Sequence, residues 1–199
     1  MVEIAHLLYD RYLTNSAGGN ISCRVGDRIY ITPRRLGSVH RWRLREEMVL
    51  VFDGELNPVE GDPALVSREC QMHFACYEHF PEINGVIHAH SRYLSVFAAA
   101  GEPLMPVNEY TEKLGIVEVV PPLPSHSREL ADAVVEKLTP RRETLKKNGL
   151  GLILAWHGAV AVGRDLADAY DTLDRLEWSA HTLLMSRQAS MVILGVSGR

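Results

Sequence analysis

The stretch INGVIHAH, residues 83–90, is the part of the chain from which we predict the fold. It is a short run rich in β-branched residues that ends in two histidines one residue apart, which is typical of a β-strand. Alternate side chains of a strand point to the same face, so a strand here directs His88 and His90 to one side of a sheet. The small, apolar sequence that follows, up to Ala100, is typical of a helix.

Further strand patterns lie on both sides of this stretch. ISCRV and RIYIT alternate around a Gly26-Asp27 turn and predict a β-hairpin. MVLVF, residues 48–52, predicts another strand that ends in an Asp-Gly turn. Downstream, the sequence predicts strands in GIVEVV (residues 115–120), GLILAW and GAVAVG.

Helical periodicity recurs between these strands. It predicts helices over residues 3–14 and 66–79, from Ser127 to about Leu138, and from Asp165 onward, with Ser67, Ser127 and Asp165 as N-caps. The apolar face of the last helix comprises Leu166, Ala169, Leu173, Leu176, Ala180 and Leu183. No repeat or linker interrupts the pattern, so we predict one domain over residues 1–199, with an α/β sheet covered by helices.

Composition limits the class of protein. The 199 residues have a net charge of -4 and a pI near 6.1, which excludes the basic footprint of a nucleic-acid-binding protein. No apolar run is long enough to span a membrane. Three cysteines without a CxxC pair argue against a disulfide framework. Together with a start that carries no basic leader, this predicts a cytoplasmic protein.

Three histidines are candidate metal ligands. His88 and His90 lie on one strand face, and imidazole is a common ligand of zinc and neighbouring metals. His157 lies between two apolar runs and precedes Gly158, which permits close backbone approach. Three histidines with one open position are typical of a catalytic zinc site. The alternatives are surface histidines on a strand and, for His157, a core histidine bonded to a backbone carbonyl.

Two further features suggest chemistry beside this metal. Glu69 lies near the start of the helix predicted over 66–79, where a carboxylate can take a proton beside a carbonyl that the metal polarises. The glycine-rich loop SAGGNIS, residues 16–22, offers backbone N–H groups to an anion. Taken alone, Glu69 is equally an ordinary surface residue, and glycine-rich turns are common. The other histidines are expected to be structural or exposed: His6, His40, His73, His79, His126 and His181.

Six short motifs, in order along nearly the whole chain, resemble the class II aldolase/adducin family. They are AGGNIS near the start, ITP at 31–33, SRE at 67–69, VIHAHS at 86–91, SREL at 127–130 and WHG at 156–158. The resemblance implies a mixed, largely antiparallel sheet flanked by helices. It also implies a cyclic homotetramer with active sites between subunits.

The resemblance also implies roles for individual residues. His88, His90 and His157 match the zinc ligands, and Glu69 matches the acid/base that can also approach the metal at rest. Gly19, Asn20 and Ser67 match residues that bind the substrate phosphate. Tyr110 matches a tyrosine that reaches a neighbouring subunit's site, where it helps protonate the aldehyde oxygen.

The implied reaction is reversible aldol cleavage of a ketose 1-phosphate, such as L-fuculose 1-phosphate, to dihydroxyacetone phosphate and L-lactaldehyde. It would proceed through a metal-stabilised enediolate, with one Zn²⁺ per subunit or another divalent ion in its place. The same scaffold supports a pentulose-phosphate 4-epimerase, whose acid/base positions tend to hold aspartate, and a sugar-phosphate dehydratase or decarboxylase. A metal-free, adducin-like interaction module is the non-enzymatic alternative.

Three departures from the family pattern concern the substrate. Arg34-Arg35 replaces the family's Thr-Gly phosphate pair, and Arg68 replaces the second serine of its Ser-Ser pair. Arginine binds phosphate or carboxylate in a bidentate manner, so these three side chains are candidate anion ligands. The sequence given ends at Arg199, before the tail in which such aldolases place another active-site tyrosine, and looser stereochemical control is therefore expected.

Overall fold

The structure, a computed structural model, describes residues 1–193. Its centre is one sheet of eight strands in the order β4-β3-β2-β1-β5-β8-β7-β6. The strands are β1 Asn20–Val25, β2 Arg28–Ile31, β3 Leu50–Asp53, β4 Pro58–Glu60, β5 Gly85–Ala89, β6 Val119–Val120, β7 Leu150–Leu154 and β8 Gly158–Gly163. Within residues 1–193, only β6 and β7 pair in parallel, so the sheet is mixed and largely antiparallel, as predicted.

Seven α-helices accompany the sheet in the described part of the chain. They are α1 Val2–Asp10, α2 Cys70–His79, α3 Leu94–Ala100, α4 Glu109–Glu112, α5 Arg128–Leu138, α6 Arg142–Leu145 and α7 Leu166–Ile193. No helix within residues 1–193 is both long and apolar enough to span a membrane.

The helices cover both faces of the sheet because successive strand residues point to opposite faces. In β5, Ile87 and Ala89 join the core that contains α1, α3 and α7. Val86 points the other way, into the core formed with α2 and α5. The α/β architecture predicted from the pattern is therefore confirmed, with a buried layer on each side of the sheet.

Helix boundaries differ from the predicted ones at two places. Helix α1 ends at Asp10 rather than at residue 14, because Tyr12 has a φ of 60° and the amides of Leu13 and Thr14 both donate to the Leu8 carbonyl. Helix α2 begins at Cys70 rather than at residue 66. Val66 is extended and forms an isolated bridge with Pro33, and a turn at residues 68–69 leads from it into the helix.

The predicted hairpin and two predicted helix caps are confirmed, and one predicted strand is shorter than expected. The hairpin β1–β2 turns at Gly26, whose φ of 60° suits the turn, and Ser127 caps α5 by accepting from the Leu130 amide at 3.1 Å. Asp165 likewise accepts from the Asp168 amide at 2.7 Å at the start of α7. The strand predicted over 115–120 contracts to Val119–Val120, because only these residues pair with β7.

Candidate metal centre and active site

Three histidines converge at one end of the central strands. His88 lies on β5, His90 follows the last residue of β5, and His157 lies in the turn between β7 and β8. One ring nitrogen from each lies within 4.8 Å of the others, and the Nε2 atoms of His88 and His90 are 3.1 Å apart. The structure therefore brings together the three residues that the sequence proposed as metal ligands.

The turn that holds His157 is tight. Trp156 has a φ of 60°, and the His157 amide donates to the Leu154 carbonyl at 3.0 Å. A Cβ on Gly158 would lie 2.6 Å from the Ala89 carbonyl oxygen and 2.9 Å from Cδ2 of His90. A glycine at this position therefore allows the turn to approach the end of β5 closely enough to bring the third imidazole to the pair.

The protonation states suit metal binding. Nδ1 of the buried His88 donates to the Ala159 carbonyl at 3.0 Å, which places the proton on Nδ1 and leaves the lone pair on Nε2. Burial lowers the pKa of His88 and, together with the neighbouring imidazoles, lowers that of His90 to about 3. Neutral imidazole is the form that binds a metal ion.

The residues present fit a divalent metal ion. Oε1 of Glu69 is buried without a hydrogen-bond partner among the described residues, a costly state that a cation held by the neighbouring imidazoles would relieve. Two nitrogen ligands of a tetrahedral zinc lie about 3.3 Å apart, close to the separation of the His88 and His90 nitrogens. Among the described residues the cluster consists of three histidines, which would leave one position of a four-coordinate metal ion open for substrate.

Glu69 is the N-cap residue of α2 and lies against the histidines. Its Oε2 is 3.4 Å from Nε2 of His88, and its Oε1 is 3.0 Å from Nε2 of His157 without hydrogen-bond geometry. Burial by itself would raise the pKa of Glu69, but the imidazoles of His88 and His157 and the amide of Asn20 lower it below its ordinary value. Glu69 is therefore an ionised carboxylate beside the candidate metal ligands.

Asn20 is adjacent to this carboxylate rather than free to bind an anion through its side chain. It pairs across the sheet with His88, and its Nδ2 donates to Oε2 of Glu69 at 2.7 Å. Its Oδ1 accepts a hydrogen bond from His73. The predicted phosphate contact of Asn20 stays a prediction.

A cavity of about 230 Å³ opens beside Glu69. It gathers all the predicted phosphate-site residues, and its lining is Ala17, Gly18, Gly19, Asn20, Arg34, Arg35, Leu36, Gly37, Ser38, Ser67, Arg68, Glu69 and His126. Within the described part of the chain, none of its three arginines forms an ion pair. Arg35 has a φ of 63°, a conformation that favours glycine, at the position where the family pattern has glycine.

Tyr110 does not join this site within the chain. It lies on α4, is 41% exposed, and its hydroxyl accepts from Nδ2 of Asn108 at 2.8 Å. It lines neither the cavity beside Glu69 nor the cleft beside His157. Its predicted role in the site of a neighbouring subunit stays a prediction.

The prediction that His73 is an ordinary structural or exposed histidine missed its place beside the site. His73 is fully buried on α2, and its ring contacts the Asn20 and Ser22 side chains. Two spacings could have suggested this: His73 follows Glu69 by four residues, one helical turn, and Ser22 follows Asn20 by two residues on one strand face. His126, by contrast, is exposed and lines the cavity.

Comparison with known proteins agrees with this fold. Residues 1–184 match the family model described as Class II Aldolase and Adducin N-terminal domain. An L-fuculose phosphate aldolase of Methanococcus maripaludis is 35% identical over 179 residues, which are 88% of this chain and 89% of the relative. A 3-oxo-tetronate 4-phosphate decarboxylase of Haemophilus influenzae is 34% identical over 191 residues, 90% and 83% of the two chains.

A solved structure shares the architecture. The L-fuculose-1-phosphate aldolase of Thermus thermophilus superposes with a TM-score of 0.77 at 28% identity, over 100% of this chain and 95% of that one. The fold and site define a metal-dependent α/β enzyme of the lyase class. The chain belongs to the class II aldolase and adducin family.

Proposed function

We propose that this enzyme is a zinc-dependent aldolase that reversibly cleaves L-fuculose 1-phosphate, or a similar ketose 1-phosphate, to dihydroxyacetone phosphate and L-lactaldehyde. The observation that supports this is the position of Glu69, between the three histidines and the arginine-lined cavity. A carboxylate placed between a Lewis-acid site and an anion site suits proton exchange at the hydroxyl-bearing carbon of a ketone whose other neighbouring carbon carries the phosphate. The relatives named as fuculose phosphate aldolases support the same substrate class.

His88, His90 and His157 would hold the metal ion, with Glu69 close enough to approach it before substrate binds. Zn²⁺, one per subunit, is our proposal because three imidazoles with an open position suit it, and another divalent ion is the alternative. When bound, the ion would polarise the substrate ketone and stabilise negative charge on its oxygen.

The protein's own groups bind the substrate and move its protons. Gly19 and Ser67 would bind the phosphate, with Arg34, Arg35 and Arg68 adding charge at the cavity. In the condensation direction, Glu69 removes a proton from the hydroxyl-bearing carbon next to the ketone of dihydroxyacetone phosphate. That carbon then attacks the aldehyde. In cleavage, Glu69 returns the proton to the same carbon after the carbon–carbon bond breaks.

Tyr110 would complete the site from a neighbouring subunit of a homotetramer. Its exposure on α4 and its absence from the cavity of its own chain support a role in another protomer's site. There its hydroxyl would donate a proton to the aldehyde oxygen during condensation.

The first test is the release of dihydroxyacetone phosphate from L-fuculose 1-phosphate by the zinc-loaded enzyme. Release is followed by a coupled assay with and without chelator, and zinc is added back to the chelated sample. We expect release that the chelator abolishes and zinc restores. A folded, metal-loaded enzyme that releases nothing from a panel of ketose 1-phosphates would reject the aldolase, and a change of configuration without fragment release would identify an epimerase.

Decarboxylation of a sugar-acid phosphate is the second candidate, and the three arginines without ion pairs favour it. They offer more positive charge than one phosphate requires, and arginine also binds carboxylate in a bidentate manner. The decarboxylase of Haemophilus influenzae is nearly as similar to this chain as the aldolase of Methanococcus maripaludis. Release of CO₂ from 3-oxo-tetronate 4-phosphate, without release of dihydroxyacetone phosphate from ketose 1-phosphates, would favour this candidate over the aldolase.

A further inference from the structure

A continuous chain of buried hydrogen bonds leads from Glu69 into the core between the sheet and α2. Asn20 contacts both Glu69 and His73, and Nδ1 of His73 lies 2.6 Å from the Ser22 hydroxyl oxygen. That hydroxyl lies 2.7 Å from the hydroxyl of Tyr77. All five side chains are buried, so water does not compete for these contacts.

The chemistry of the carboxylate determines the direction of every bond in this chain. An ionised carboxylate only accepts, so Asn20 must present its NH₂ group to Glu69 and its carbonyl oxygen to His73. His73 must then donate through Nε2, which leaves Nδ1 as an acceptor. Ser22 therefore donates to Nδ1 of His73, and Tyr77 donates to Ser22. A single arrangement of protons satisfies all four contacts.

His73 is the group that fixes this arrangement. Burial lowers its pKa to about 3, so the ring is neutral in the ordinary working range and has one donor and one acceptor nitrogen. Without it, the amide of Asn20 can rotate and present its oxygen to Glu69, which would repel the carboxylate. An amide oxygen or ring nitrogen buried without a hydrogen bond would also be destabilising.

We propose that His73 is a positioning residue for the proton exchange by Glu69, acting through the side chain of Asn20. The bond from Asn20 holds Oε2 of Glu69 and leaves Oε1 without a hydrogen bond, so Oε1 is the oxygen that approaches the metal ion at rest and exchanges a proton once substrate is bound. This inference rests on the proposed role of Glu69 as acid/base. It assigns Asn20 and His73 to the orientation of the base, in addition to any phosphate contact of the Asn20 backbone.

The kinetic test compares three variants in the zinc-loaded enzyme. His73→Phe removes both polar contacts and should lower kcat by about 10–100-fold, with little change in KM and full metal content. His73→Gln can still donate to Asn20 and accept from Ser22, so it should restore most of the lost kcat. Tyr77→Phe removes only the far end of the chain and is the matched control, with a kcat expected within about threefold of the original.

A merely structural role for His73 predicts a different result. Loss of kcat would then follow the loss of melting temperature, and Tyr77→Phe would be as damaging as His73→Phe at equal destabilisation. That result, or an unchanged kcat in His73→Phe, would overturn the proposal.

A second measurement uses the unmodified protein and needs no substrate. Nitrogen-15 NMR of the histidine rings in the zinc-loaded enzyme should show His73 as the neutral Nε2–H tautomer throughout pH 6–9. A protonated His73 or an Nδ1–H tautomer would overturn the proposal. If the unmodified enzyme lacks turnover on every ketose 1-phosphate, the proposed function fails. The tautomer of His73 still decides whether the hydrogen bonds from Glu69 to Tyr77 are oriented as inferred.

Discussion

The two oxygens of Glu69 have different surroundings, and this difference is the most informative feature at the residue scale. Oε2 accepts a short bond from Asn20, whereas Oε1 faces His157 without a hydrogen bond. A carboxylate held by one oxygen keeps its orientation while the other oxygen stays available for a proton. The imidazoles are close enough to bind a metal ion without Glu69, so metal binding and proton exchange should be separable by mutation.

The first prediction separates metal binding from proton exchange by a substitution of Glu69. Glu69→Gln keeps the size of the side chain but cannot take a proton, so kcat should fall by about 10²–10⁴-fold. The three histidines remain, and metal content should be unchanged when measured by plasma mass spectrometry. Glu78→Gln, on the exposed side of the same helix, is the control and should keep full activity. Full turnover in Glu69→Gln would remove this residue from the mechanism.

The second prediction concerns the metal ligands. His157→Ala removes one of three nitrogens, so bound metal should fall well below one ion per subunit after dialysis. His79→Ala is the control, because His79 bonds to the Ala75 carbonyl away from the cluster. Equal metal content in His157→Ala and the original protein would disprove the three-histidine site.

At the element scale, the ends of helices and strands place the chemistry. Glu69 lies at the N-cap of α2, His90 follows the end of β5, and His157 occupies the turn from β7 to β8. The ends of elements free side chains from the packed layers while the layers fix where those side chains start. The cap of α5 is different: α5 covers the same sheet face as α2, and Ser127 does not line the cavity beside Glu69.

The third prediction tests that cap. Ser127→Ala removes the acceptor for the Leu130 amide and should lower the free energy of unfolding by about 1 kcal/mol. Denaturant unfolding at one fixed protein concentration measures it. Ser125→Ala, two residues earlier and outside the helix, should change the free energy of unfolding little. A stability equal to that of Ser125→Ala would show that the cap contributes nothing.

At the scale of the whole molecule, the order of the strands assembles the site. Strand β5 lies between β1 and β8, so the histidine pair meets Asn20 on one side and the His157 turn on the other. Helix α7 then packs across β5 and β8 and begins beside Gly85. The site therefore depends on contacts between segments that are far apart in sequence.

The fourth prediction tests the packing of α7 on the sheet. A Cβ on Gly85 would lie 2.3 Å from the Asp165 carbonyl oxygen and 2.6 Å from Cα of Leu166, and both are backbone atoms that cannot rotate away. Gly85→Ala should therefore destabilise the fold by about 1–3 kcal/mol. Gly54→Ala, whose new Cβ would lie 3.7 Å from its nearest neighbour, is the control for the same substitution in a turn. Equal melting temperatures of the two variants would contradict this account of the packing.

The fifth prediction tests the proposed assembly. If Tyr110 acts in a neighbouring subunit, mixed oligomers of Glu69→Gln and Tyr110→Phe contain some sites with both original residues. Activity after joint unfolding and reassembly should therefore exceed that of either variant reassembled alone. Light scattering of the unmodified enzyme should give the mass of a tetramer. An absence of recovered activity in oligomers shown to be mixed would place Tyr110 outside the neighbouring site.

Local pattern was enough for most of the elements and for the candidate metal ligands that the structure brings together. Alternation along residues 83–90 predicts both the strand and the common direction of His88 and His90, because side-chain direction in a strand depends only on the backbone. The caps Ser127 and Asp165 follow from side chains that bond to amides within three residues. The order of the motifs predicted the family, and with it the mixed sheet.

What only the tertiary structure decided is the surroundings of Glu69. The start of α2 moved to Cys70 because Val66 pairs with Pro33, a contact across 33 residues that no local pattern contains. Asn20 bonds to Glu69 because β1 pairs with β5, and His73 reaches Asn20 because α2 packs on that face of the sheet. The sequence by itself identified the candidate groups for metal binding and proton exchange. Their mutual orientation required long-range pairing and packing, whose energy depends on segments that are distant in the chain.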